Sequence, residues 1–222
     1  NHGCASVEVA GWTLDYMPVL GIIYALIALF AWGFGDFFIQ KTARAVGDLK
    51  ALVYITATTA VVLLPFVWKD LLTALAEPKA WWLLGIVGLV SFFAALFDFE
   101  ALKQGKIAVV EPLLGMEVPV VVFLSVVFRG EYLSWYQFAL IGLVLAGIIL
   151  AITKHFGQWR YHRRLIEKGV LFAGLGAIGM GLTNFLIGVS SQDTLPLLTV
   201  WFAHTTIAVC SIILLLRQGQ WR

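Results

Sequence analysis

The chain has 222 residues, of which 61% are hydrophobic and 13% charged, with a mean hydropathy of +0.92. Soluble domains run at about 45–50% apolar and about 25% charged, so this balance excludes a soluble globular enzyme, a nucleic-acid-binding module and a disordered chain. The net charge of +2 says little about partners, because in a membrane protein the placement of Lys and Arg matters more than their sum.

Residues 1–16 hold no Lys or Arg and no helical pattern, and they lack the basic start of a signal peptide. Met17 stands directly before the first apolar run and is the expected natural start; an ordinary extramembrane tail is the alternative. Seven apolar runs follow: Val19–Ile39, Leu49–Trp68, Trp81–Leu102, Ile107–Phe128, Leu133–Ile152, Gly169–Val189 and Leu195–Leu216. Each has the roughly 20 residues a bilayer crossing needs. The runs are too continuous for the apolar/polar alternation of a membrane barrel. An all-α, polytopic transmembrane bundle is therefore expected. Linkers are short and polar, except Thr153–Lys168 with Lys154, Arg160, Arg163, Arg164 and Lys168. Cys4 and Cys210 supply neither a disulfide framework nor metal-ligand spacing, and no metal or other cofactor is expected.

An internal repeat emerges when Gly21 is set against Gly169, a shift of 148 residues. Ala25, Gly33, Phe37 and Ile39 then face Ala173, Gly181, Phe185 and Ile187, while Asp36 falls opposite Asn184 and Trp32 opposite Met180. The same shift lays the second run on the seventh, so that Lys69 meets Arg217. The first half (17–152) holds five spans, an odd number, so the second half (169–222) starts from the opposite side, as an inverted-topology repeat does. A full copy of the first half would reach about residue 300, which makes the seven spans the larger part of an expected ten.

Charge placement agrees with inversion. Counting alternate sides, one face collects Lys41, Arg44, Lys50, Lys103, Lys106, the five basic residues of 153–168, Arg217 and Arg222. The other face has Lys69, Lys79 and Arg129, and the Ser190–Thr194 loop carries Asp193 and no basic residue. The positive-inside bias assigns the basic face to the cytoplasm and the N-terminus to the outside.

Three stretches carry a family resemblance. They are Ala101-Leu-Lys-Gln-Gly-Lys-Ile-Ala-Val-Val, Val118-Pro-Val, and Arg129-Gly-Glu-Tyr-Leu-Ser-Trp-Tyr-Gln running into a Gly-rich helix, with Ala31-Trp-Gly in the first run. Together they resemble the EamA domain of the drug/metabolite transporter superfamily, over about Met17 to Arg222, and the Gly-Glu-x-x-Ser-x-x-Gln segment is the most specific part. The resemblance implies two five-helix repeats and a multi-pass transporter, expected in a prokaryotic cytoplasmic membrane. Family members are usually described with both termini in the cytoplasm, which differs from the charge reading above. Asp36, Glu111 and Glu117 are not part of the general motif.

Ionisable groups inside a bilayer are costly and mark functional sites by default. Asp36, Asp98, Glu100, Glu111 and Glu117 lie within the apolar runs, and no Lys or Arg lies well inside any. The first four sit at the level of the basic face, Glu117 near the middle of its span, and His204 near the middle of the last, one turn from Trp201. This pattern describes an acidic vestibule leading to a mid-membrane site. A carboxyl group in low dielectric can exchange protons near neutral pH, as proton coupling or cation binding requires. Buried Arg or Lys for an anionic cargo is missing, so a neutral or cationic solute is expected.

Each position has a structural alternative. Glu100 can pair with Lys103 one turn on; Asp98 points about 200° away from Glu100 around the helix. Glu111 before Pro112 can be a helix-start residue favoured by the dipole, and Asp36 can reach the interface. His204, as a neutral histidine, can satisfy itself against a neighbouring helix. Pro112 and Pro119 interrupt the fourth run and free the carbonyls of Ala108 and Gly115. Glu131 reads as an anchor for the following helix, and Gly174, Gly176, Gly179 and Gly181 as a close-packing face. Trp32 and Trp201 sit deep enough to stack on an apolar or cationic solute. The candidate pathway is thus Glu117, Asp36, Asn184, Trp32, His204, Trp201, Glu111 and Asp98. The expected function is secondary transport by alternating access, with a small solute, protons and the lipid bilayer as partners and no nucleic acid. No ATP-binding motif is present in the chain. A non-transporting sensor or assembly subunit and a lipid-acting membrane enzyme are the other readings.

Overall fold

The computed structural model describes residues 17–75, 78–156, 163–192 and 194–219. The expected tail of residues 1–16, the middle of the basic linker with Arg160, and Asp193 and Arg222 lie outside the described residues. The helices in chain order are α1 (Met17–Val46), α2 (Asp48–Leu75), α3 (Pro78–Gln104), α4 (Ile107–Leu114), α5 (Glu117–Arg129), α6 (Trp135–Phe156), α7 (Arg163–Ser190) and α8 (Pro196–Arg217). No strand occurs among the described residues. Helices are what such apolar runs must form, because in hydrocarbon every backbone N–H and C=O has to be bonded within its own segment. Among the described residues, six stretches are long and apolar enough to span: Leu20–Val46, Asp48–Ala74, Trp81–Gln104, Ile107–Arg129, Lys168–Ser190 and Pro196–Arg217; Trp135–Ala151 is a shorter apolar helix.

Several boundaries differ from the sequence reading: α2 runs on to Leu75 and α7 starts at Arg163, and two further differences bear on the site. The first predicted run ends at Ile39, but α1 continues to Val46, since nothing breaks it before Gly47. Lys41 and Arg44 are therefore helical rather than loop residues. The fourth run is two helices, because the peptide between Leu114 and Glu117 forms a turn.

Local chemistry sets the connections. Gly47 takes φ 91°, a left-handed conformation that glycine alone adopts without cost, and joins α1 to α2 without a loop. Pro196 opens α8 from its first turn, where its missing N–H would be unpaired in any case. The most specific family segment, Gly-Glu-x-x-Ser-x-x-Gln, is helix punctuation. Gly130 closes α5 at φ 64°, Glu131 pairs with Arg129 at 3.2 Å, and Ser134 meets Gln137. The Gln137 Oε1 accepts from the Ser134 N–H at 2.8 Å and from its hydroxyl at 2.9 Å, which fixes the start of α6.

The chain divides into two compact units, Asn1–Phe38 and Ile39–Arg222. The described part of the first is the aromatic-rich stretch of α1, in which Phe37 and Phe38 meet edge-on at 5.7 Å. In the second unit, α3 packs along α7 and α8, α2 along α8, and α7 also against α4 and α5. Its interior sets many small side chains among larger ones: Ala43, Ala51, Leu52, Phe92, Ala95, Phe99 and Ile207 form one cluster, and Ala101, Leu102, Val110 and Ala173 another. Lipid tails are as apolar as Leu, so close packing rather than water exclusion holds such helices together. Glycine supplies the closeness. A Cβ on Gly179 would stand 2.9 Å from the Ala94 Cβ, and one on Gly88 would stand 2.5 Å from the Thr206 hydroxyl.

Candidate functional site at a helix break

The α4–α5 turn originates in its two prolines. Pro119 has no N–H for the Gly115 carbonyl, which instead accepts from Val118 at 3.3 Å, a tighter turn than the α-helical one. Gly115 itself still donates to Glu111 at 3.0 Å. The break therefore falls between the prolines, and Glu117 emerges as the first residue of α5, midway along the Ile107–Arg129 span. A carboxylate there faces the positive end of the new helix dipole.

Helix α7 comes to this break without a side chain in the way. A Cβ on Gly181 would lie 2.6 Å from the Val120 Cβ and 3.0 Å from the Glu117 carbonyl oxygen. Asn184, three residues on and so on the same face of α7, donates through Nδ2 to Glu117 Oε2 at 3.3 Å. Two of the sequence candidates are thereby brought together. Nearer the basic face, a Cβ on Gly176 would meet the Asp98 backbone at 3.3 Å and the Leu114 side chain at 3.1 Å, so α7 lies in the groove between α3 and α4. Asp98 and Glu111 lie on the walls of that groove, half-buried.

Other candidates are bonded elsewhere. The Trp201 indole Nε1 donates to the Ala60 carbonyl of α2 at 2.8 Å, which anchors α8 to α2. The same indole lines a lateral apolar recess of about 390 Å³ with Leu71, Trp81, Phe202, Thr205, Thr206 and Val209. His204 Nδ1 lies 2.9 Å from the Val200 carbonyl one turn back. Glu100 pairs with Lys103 at 3.0 Å as its spacing predicts, and Lys103 also reaches Asp48 at 3.1 Å. Trp32 and Asp36 belong to the first unit, on α1. Among the described residues, no group of three His, Cys, Asp or Glu side chains could hold a metal ion.

Two arrangements had escaped the sequence. Ser190, Thr194 and Thr199 set their hydroxyls 3.1 Å apart from one another where α7 turns into α8. Gln40 and Arg44 of α1 reach the carbonyls that end α3. The first is a common Ser/Thr turn whose closure needs the fold. The second left a faint signal, since residues four apart share a helix face.

No curated protein and no solved structure matches the chain. The sequence profile of the EamA-like transporter family matches residues 19–153, more than half of its length and running from α1 into α6. With its long apolar helices, the chain is a multi-pass membrane protein that belongs to the EamA-like transporter family.

Proposed function

We propose that the chain works as a secondary transporter of a small neutral or cationic solute, by alternating access, with Glu117 exchanging a proton or touching the solute. The observation that carries this reading is the Asn184–Glu117 hydrogen bond across the α4–α5 break. Broken helices at mid-membrane are where transporter sites are built. The amide gives the carboxylate a neutral partner that it can release, whereas a buried Arg or Lys would neutralise it permanently.

The rocking parts in this reading are two inverted repeats, 17–152 and 169–222, joined by the basic linker. Asp48 and Pro196, which open α2 and α8, are separated by the same 148 residues that align the repeats, and the two helices pack together. A two-fold axis relating the repeats can run through such a contact, so this pairing is compatible with the repeat. On the same scheme Asn184 and Asp36 are equivalent positions.

The test is flux in reconstituted vesicles under an imposed pH gradient, with a panel of neutral and cationic metabolites. Glu117→Gln is expected to lower gradient-driven uptake strongly while leaving a measurable residual rate. Undiminished uptake of every transported solute would sink the proton-site reading, and no flux together with a tight protein partner would favour an assembly subunit.

A further inference from the structure

The turn between α3 and α4 is held from two directions. Gln40 Nε2 donates to the carbonyls of Leu102 at 3.1 Å and Gly105 at 3.4 Å. Arg44 donates through Nε to Lys103 at 3.3 Å and through Nη2 to Gly105 at 2.5 Å. These are the carbonyls that the end of a helix leaves without partners of its own. On its opposite side the turn bears on α7. A Cβ on Gly169 would stand 2.8 Å from the Gly105 Cα and 3.0 Å from its nitrogen, so backbone meets backbone. Ala101, Leu102, Val110 and Ala173 pack together beneath this contact as an apolar layer.

The position of this plug matters. It lies at the basic face, beside Lys103 and Lys106. Asp98 and Glu111 sit about one to two turns deeper, and the Glu117–Asn184 pair deeper still. Water at the membrane surface could cap the α3 carbonyls equally well. Two side chains from α1 do so instead, which ties the placement of the turn to that helix.

We infer that Gln40 and Arg44 are positioning residues that hold the α3–α4 turn against Gly169 and thereby close the basic-face end of the path to Glu117 and Asn184. The inference rests on the alternating-access reading, in which one end of the path is shut while the other is open. Each bond in the plug can be exchanged for water, so the closure is reversible.

The experiment reads closure rather than flux. Asn184→Cys is placed in a chain with Cys4→Ser and Cys210→Ser and exposed, in sealed vesicles, to a membrane-impermeant maleimide from either face. Labelling from the basic face is expected to be slow. Gln40→Leu and Arg44→Leu each raise it by about fivefold, the population shift that follows losing one net hydrogen bond. Arg44→Lys keeps the charge but not the two-pronged reach and raises it less. Gly169→Ala pries apart the same contact from α7 and also raises it, without touching Gln40 or Arg44. Fast basic-face labelling in the unaltered background overturns the inference, as does an unchanged rate in the variants. If Gln40→Leu fails to give a monodisperse protein, Arg44→Lys and Gly169→Ala decide the matter by the same criterion. Because labelling needs no solute, the plug can fail this test while Glu117-dependent flux stands, and the reverse.

Discussion

Asn184 on α7 donates its amide to the Glu117 carboxylate on α5 across 3.3 Å, at the point where Gly181 lets the two helices touch. The pair joins a residue from each side of the basic linker, and its geometry makes the two side chains a coupled unit. Asn184→Ala is expected to lower gradient-driven flux. The double variant Asn184→Ala/Glu117→Gln should be no worse than Glu117→Gln alone within about twofold, since residues acting through one bond are non-additive. A double-mutant cycle on initial uptake rates measures this, and independent losses from the two positions would contradict it.

Gly181 and Gly142 provide a matched contrast in one protein. Gly181→Ala forces a methyl group against Val120 and the Glu117 carbonyl and should cost about 1–3 kcal/mol. Gly142→Ala meets nothing within 4 Å on α6 and should be neutral or stabilising by about 0.5–1 kcal/mol, through helix propensity. Thermal unfolding in detergent reads both. Equal effects at the two positions would mean that α7 does not seat on α5 as described.

Trp201 can be tested for its two roles separately. Trp201→Phe keeps an aromatic face but loses the bond to the Ala60 carbonyl. Interhelical hydrogen bonds in membranes are worth about 0.6 kcal/mol on average, so a small fall in thermal stability with unchanged flux is expected. A large fall in flux at unchanged stability would mark Trp201 as a solute contact.

Lys103 links α2 and α3 by pairing with Asp48 and Glu100. Its side chain is 36% exposed, so screening limits the gain. Lys103→Met should cost about 1 kcal/mol or less in dilute buffer, and the difference should shrink in molar salt. Melting temperatures at the two ionic strengths check this, and a salt-independent loss would point to packing of the lysine stem instead.

Much of this protein is determined by sequence alone, because lipid leaves little choice. Long apolar runs have to become helices, and Pro112 and Pro119 have to disturb the fourth of them wherever the chain is placed. Gly130, Ser134 and Gln137 also act locally, as a helix stop and a helix start a few residues apart. Glu117 stood out because a carboxylate in mid-span has no local explanation. Tertiary structure decided what no periodicity contains: which of the acidic positions meets Asn184, that the Trp201 indole is held by α2, and that the carbonyls ending α3 are capped from α1. The first and last of these lie beside close approaches at Gly105, Gly169 and Gly181, where a missing side chain shows its meaning only once a second helix lies against it.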